Sequence, residues 1–165
     1  MPPRIREMNW RTDREAVLSF QTEVYELNFP GFRMSQAFLR DYERQLRQAL
    51  RQPNERILVL DNEGQVVGFL WASLVSTMVE PCVGYIKNVF VVPAWRGLGY
   101  GKQLLRAADE WFKQNHCRRA ALDATISNRQ AVAVYEAAGY VPARYRMEKV
   151  YEEEAARESE VGEHR

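Results

Sequence analysis

One stretch constrains the fold more than any other: Val89-Phe90-Val91-Val92-Pro93-Ala94-Trp95-Arg96-Gly97-Leu98-Gly99-Tyr100-Gly101-Lys102. It joins a strand to a helix through a glycine-rich turn. Its first four residues are apolar and largely β-branched, which suits a strand, and Pro93 ends that strand. Gly97, Gly99 and Gly101 occupy alternate positions, where a backbone without side chains turns tightly and comes close to a ligand. A helix starting near Gly101 leaves its first N–H groups without intrahelical partners, facing the turn. Such a turn cradles phosphate groups and predicts a phosphate-bearing cofactor. An ordinary strand–turn–helix, in which the glycines serve only the turn, is the plainer reading.

Two familiar cradles are excluded by residue. A Walker A loop needs glycine where Arg96 stands and Ser or Thr where Gln103 stands. A dinucleotide fingerprint needs glycine where Lys102 stands. What remains is Arg96-x-x-Gly99-x-Gly101 behind a Val91-x-Pro93 strand ending. This resembles the acetyl-coenzyme A loop of the GCN5-related N-acetyltransferases, the GNAT family. A second match lies downstream, Asn128-x-x-Ala131-x-x-x-Tyr135-x-x-x-Gly139-Tyr140, and resembles the family's motif B. The resemblance spans roughly Arg56 to Val150.

The 165 residues suit one core. Apolar residues make up 46% and charged residues 27%, as in ordinary globular domains. A net charge of +1 gives no case for a polyanion partner, so no nucleic acid is expected. No apolar run reaches membrane length, so no membrane partner is expected. Cys82 and Cys117 show no metal or redox spacing and read as separate packing residues in a reducing cytoplasm.

A short first strand is expected over Ile5 to Met8. A helix follows, with Thr12-x-x-Glu15 as its capping box. A second helix opens near Ser35, with Leu39, Tyr42, Leu46 and Leu50 on one face and Arg and Gln on the other. Strands over Arg56 to Leu60 and Gln65 to Ser76 flank the turn Asp61-Asn62-Glu63-Gly64, and Val83 to Val92 leads into the cradle. A helix to about Asn115, a strand over Ala120 to Thr125 and a helix from Asn128 to Ala138 come next. Val141 to Val150 is expected to add one or two more strands. The predicted class is α+β: one domain over residues 1–151, with a central mixed, mostly antiparallel sheet flanked by helices. Residues 152–165 hold six Glu and two Arg, an acidic tail of net charge −4 with histidine neutral.

The resemblance implies a chemistry. Acetyl-coenzyme A would be held by the strand end Phe90, Val91 and Val92, by the loop Arg96, Gly97, Leu98, Gly99, Tyr100, Gly101 and Lys102, and by Asn128 and Tyr135. Val91 would offer its N–H to the oxyanion. Tyr135 would supply a proton or hydrogen bond to the departing thiolate, a phenol of pKa about 10 facing a thiol of about 8.5. The acceptor would be a primary amine on a small molecule, a lysine or a peptide N-terminus, attacking directly in a ternary complex. The family's strand glutamate base falls on Tyr85, so the base is unassigned among Glu23, Glu26, Glu80, Asp123 and a water chain. Tyr25, Asn28, Phe29, Phe32, Tyr85 and Tyr145 could line the acceptor groove. A non-catalytic acyl-coenzyme A sensor would use the same cradle. Monomer and homodimer both fit.

Overall fold

The computed structural model describes residues 1–151; the expected acidic tail lies outside the described residues. In chain order the elements are β1 (Arg4–Glu7), α1 (Trp10–Asn28), α2 (Gln36–Ala49), β2 (Glu55–Asn62), β3 (Gln65–Val75) and β4 (Val83–Val91). A 3-10 turn (Pro93–Trp95), α3 (Tyr100–Gln114), β5 (Ala120–Leu122) and α4 (Arg129–Ala137) follow. The sheet order is β1-β2-β3-β4-β5, and every neighbouring pair is antiparallel except β4–β5. The α+β class with a mixed, mostly antiparallel sheet is therefore the observed one.

Helices cover both faces of the sheet, which explains the mixed period of β2 and β3. Ile57, Val59, Phe69 and Trp71 pack with Val17, Phe20, Tyr42 and Leu46 of α1 and α2. The alternate residues Leu58, Leu70 and Ala72 pack with Leu104, Leu105, Ala108 and Phe112 of α3. A strand buried on both sides has no polar face to alternate with. Between β2 and β3, Glu63 (φ 52°) and Gly64 (φ 92°) form a two-residue turn with both φ positive. Such turns match the twist of paired strands. Asp61 Oδ1 accepts from Gly64 N at 2.7 Å and holds it.

Three local expectations change. The first helix begins earlier than Thr12-x-x-Glu15 suggests. Asn9 is its N-cap, accepting from Arg11 N at 3.0 Å, and Asp13 Oδ2 accepts from Asn9 N at 2.7 Å. Asp13 is drawn there because Arg6 also binds it, at 2.7 Å, while reaching Asp61 at 2.9 Å. One guanidinium thus ties β1, α1 and β2 together.

The expected strands over residues 141–150 are not formed. Alternation along Tyr145 and Met147 permits a strand, but a strand exists only with a hydrogen-bonded neighbour. Pro142 removes one donor, and β5, at the edge of the sheet, is three residues long. Tyr145 and Met147 are 95% and 90% exposed. A contact of Arg146 with Asp123 at 3.1 Å ties the segment back to the domain.

The cysteines are not separate packing residues. Cys82 and Cys117 form a disulfide with Cα atoms 5.0 Å apart, joining the start of β4 to the turn after α3. Close to it, Gly84 lets α3 lie against the sheet. A Cβ there would stand 2.4 Å from the Phe112 ring.

Candidate active site

β4 and β5 part company. β5 pairs with β4 through Gly84, Tyr85 and Ile86 and stops at Leu122. β4 continues beside β3 to Val91. The register shift sets Asn88 opposite Trp71 and Ile86 opposite Ala72, so Lys87 is an extra, bulged residue. Beyond the bulge one edge of β4 has no strand neighbour among the described residues. Val92 N–H donates to Val67 O at 2.9 Å, toward β3. Backbone direction alternates along a strand, so the N–H groups of Val91 and Val89 point into the gap. Phe90 points to the α1 side and stacks on Phe20 with centroids 4.8 Å apart, and Val92 packs on that side too.

The gap leads to the glycine turn. Gly97 and Gly99 have φ of 75° and 85°, and Gly99 is the N-cap of α3. A Cβ on either would meet no heavy atom within 4 Å, so the turn faces open space. Gly101 serves packing: its Cβ would come 3.4 Å from Val134 of α4. Gln103 N–H is the first in α3 to be bonded, to Gly99 O at 3.0 Å. Among the described residues, none of the N–H groups from Gly97 to Lys102 donates to a backbone acceptor. That run of open donors at a helix start fits a pyrophosphate. Leu98 and Lys102 are exposed, and Tyr100 is half-buried beside Trp95.

Arg96 is engaged elsewhere. Its Nε donates to Val91 O at 2.7 Å, its guanidinium pairs with the Glu23 carboxylate, and it lies over the Phe90 ring at 5.2 Å.

Motif B packs on α3 and is tied to the end of α1. Asn128 caps α4 by accepting from Ala131 N at 3.3 Å, and its Nδ2 donates to Asn28 Oδ1 at 3.1 Å. Thr125 Oγ1 donates to Asn28 O at 3.0 Å, so the end of α1 is tied to the loop before α4. Gly139 (φ 95°) turns the chain, and Tyr140 N closes onto Tyr135 O at 3.0 Å. The Tyr135 ring sits in the α3-side core, and burial pushes its phenol pKa up.

Four of the six expected acceptor-side residues come together: Tyr25, Asn28, Phe29 and Phe32. Tyr25 stacks on Phe29 at 5.6 Å and lies 5.9 Å from Phe32. Tyr85 instead donates to Asp123 Oδ2 at 2.7 Å. Burial and that carboxylate raise its pKa to about 12. Tyr145 projects into solvent. Sequence reasoning missed Phe38, Tyr42 and Asn88. Phe38 packs edge-on to Tyr25 at 4.8 Å, and Tyr42 OH donates to Asn88 Oδ1 at 3.1 Å. Asn88 adjoins the bulge and so connects this aromatic cluster to the gap. A lone amide in an apolar strand was the available signal. All four carboxylates considered as a base hold partners: Glu23 with Arg96, Glu80 with Arg119, Glu26 with Met34 N, and Asp123 with Tyr85 and Arg146.

The sequence profile of the Acetyltransferase (GNAT) family matches residues 21–140. The chain belongs to the GNAT family. Among relatives of this GNAT chain is an aminoglycoside N(6')-acetyltransferase type 1 of Stenotrophomonas maltophilia. It is 33% identical over 82 residues, 47% of this chain and 54% of that protein. The chain spans about half the length of the curated relatives it matches. A Pyrococcus furiosus structure described as an acetyl transferase superposes with TM-score 0.70 at 28% identity, covering 90% of this chain and 100% of that one. AAC(6')-Iy, solved with the bisubstrate analogue CoA-S-monomethyl-acetylneamine, shares the fold with TM-score 0.70 at 21% identity, over 92% and 99% of the two chains. Among the described residues, no helix is long and apolar enough to cross a membrane.

Proposed function

We propose that this protein transfers an acetyl group from acetyl-coenzyme A to a primary amine by direct attack in a ternary complex. The observation that carries the reading is the continuity of the parted β4–β5 edge with the open N–H groups of the Gly97–Lys102 turn. A thioester with a pantetheine arm and a pyrophosphate needs that sequence of donors. Family membership and the CoA-based analogue held by AAC(6')-Iy support it.

Acetyl-coenzyme A supplies a carbonyl already activated as a thioester. The protein's share is positioning and charge stabilisation. The gap-facing N–H groups of Val91 and Val89 offer donors to an amide of the arm and to the charge developing on the carbonyl oxygen. Backbone N–H groups of Gly97 to Lys102 hold the pyrophosphate, with the Lys102 ammonium alongside. Asn128 keeps the start of α4 against the arm. The new C–N bond forms as the C–S bond breaks; the thiolate takes a proton from the Tyr135 phenol, and the proton that the attacking nitrogen sheds passes to water, from which the phenol is reprotonated. Burial keeps that phenol protonated at neutral pH. Tyr85, with its pKa near 12, also keeps its proton, so it lines the acceptor end without acting as base.

The acceptor enters between the aromatic cluster of Tyr25, Phe29 and Phe32 and the Tyr85–Asp123 pair. Its class is a primary amine carried on an apolar or mixed body, as on a peptide or an amino sugar. The test is calorimetry with coenzyme A followed by thiol release from acetyl-coenzyme A across an amine panel. Binding with amine-dependent release is the expected result. Binding without release from any amine makes the protein an acyl-coenzyme A sensor, and absence of binding overturns both readings.

A further inference from the structure

We infer that Arg96 is a positioning residue that holds the end of β4 and joins it to α1, and not a ligand of the coenzyme phosphates. The inference rests on the acetyltransferase reading above. A basic side chain beside a phosphate cradle is the obvious phosphate partner, but this one is already committed three times. Its Nε donates to Val91 O at 2.7 Å. Its terminal nitrogen pairs with the carboxylate of Glu23 on α1. Its Cζ lies over the Phe90 ring, 5.2 Å from the centroid, and Phe90 in turn stacks on Phe20 of α1. Such planar, forked binding is what an arginine does and a lysine does not.

The carbonyl it holds matters most. The peptide unit linking Val91 to Val92 is fixed at both ends. Its oxygen accepts from Arg96, and its N–H donates to Val67 O at 2.9 Å. Val91 O lies on the same edge of β4 as the gap-facing N–H groups. An unpaired carbonyl there would set a negative dipole beside the place where negative charge develops. The guanidinium cancels that dipole and fixes the plane next to the Val91 N–H. Glu23 neutralises the guanidinium, which weakens its pull on a phosphate, and fastens α1, which carries the acceptor-side Tyr25 and Asn28.

Two acyl donors separate the roles. S-acetylpantetheine has the thioester and arm of acetyl-coenzyme A but no phosphates. A positioning Arg96 predicts that Arg96→Ala lowers kcat about ten-fold on both donors, while coenzyme A affinity by calorimetry changes less than about three-fold. Arg96→Lys keeps the charge but not the fork and should not restore kcat. Glu23→Gln should lose part of kcat in the parent and nothing further in Arg96→Ala, the non-additivity of coupled residues. A coenzyme A affinity falling ten-fold or more with unchanged turnover of S-acetylpantetheine would overturn the inference, as would full rescue by Arg96→Lys. A second readout needs no activity: without any donor, Arg96→Ala should speed hydrogen exchange at the Val92 amide, and unchanged exchange overturns the inference. A parent protein inactive with every amine overturns the acetyltransferase reading instead, and the exchange measurement still decides the role of Arg96.

Discussion

Tyr135 has a phenol without a hydrogen-bond partner among the described residues, on a ring packed edge-on against Tyr140 with centroids 6.4 Å apart. A hydroxyl that bonds nothing in the resting protein is available to a ligand. Removing it alone keeps the ring packing. Tyr135→Phe should therefore leave stability within about 1 kcal/mol of the parent. Single-turnover acetyl transfer should fall about ten- to a thousand-fold, the usual contribution of one general acid or somewhat less. Rapid-quench kinetics with equal coenzyme A affinity checks it. An unchanged rate returns Tyr135 to the core.

Asp13 belongs to stability and not to chemistry. Burial acts to raise its pKa, but the Arg6 guanidinium, the Asn9 N–H and the Thr12 hydroxyl together hold it below the usual carboxylate range. Arg6 likewise holds Asp61 low. A carboxylate with a depressed folded-state pKa adds stability above its unfolded value of about 3.9, and that stability is lost as pH falls through the folded value. Urea melts should show stability declining below about pH 5. Asp13→Asn leaves Arg6 short of a charged partner and should cost about 2–4 kcal/mol at pH 7, with a shallower decline in acid. Equal loss at pH 7 and at pH 3 would contradict this account.

At the scale of elements, the site is a place where two strands separate and a helix begins. Everything depends on α3 lying close to β4. Gly84 permits that approach, since a Cβ there would overlap the Phe112 ring. An aromatic ring held in a packed core moves only with its helix, so Gly84→Ala forces α3 outward. The expected cost is about 1–3 kcal/mol, the range for overpacked cores. Thermal melts measure it, and coenzyme A affinity should weaken with it because the Gly97–Lys102 donors ride on the start of α3. A Gly84→Ala protein with unchanged melting temperature would place the close approach elsewhere. The turn glycines differ in kind. Gly97 and Gly99 have space for a Cβ but positive φ, so there the backbone and not the neighbours demands glycine.

At the scale of the whole molecule, the Cys82–Cys117 bond joins parts separated by 35 residues. It holds the beginning of β4 to the turn before β5, beside the Glu80–Arg119 ion pair. Cross-linking a loop of that length removes unfolded-state entropy worth about 3–4 kcal/mol in the chain-entropy picture. Cys82→Ser, Cys117→Ser and reduction by a dithiol should each lower stability by about that amount, and the double variant no further. Denaturation with and without reductant checks this; a reductant-insensitive parent would contradict it.

What the sequence determined by itself was local. Gly97, Gly99 and Gly139 announce backbone that only glycine takes up readily, Ser35 and Asn128 announce helix starts, and Asp61 to Gly64 announces a hairpin. Each depends on residues within one turn of chain, so each could be read without a neighbour. The two motifs carried the family for the same reason. Tertiary structure decided the rest, wherever the partner lies far along the chain. Whether residues 141–150 become a strand depends on an edge to pair with, and alternation alone does not supply one. Whether two cysteines 35 residues apart meet depends on the parallel pairing of β4 with β5. Whether Arg96 faces a phosphate or Glu23 depends on where α1 lies, 73 residues earlier in the chain. Contacts of that span follow from how the helices settle on the sheet, and no short window of sequence contains that information.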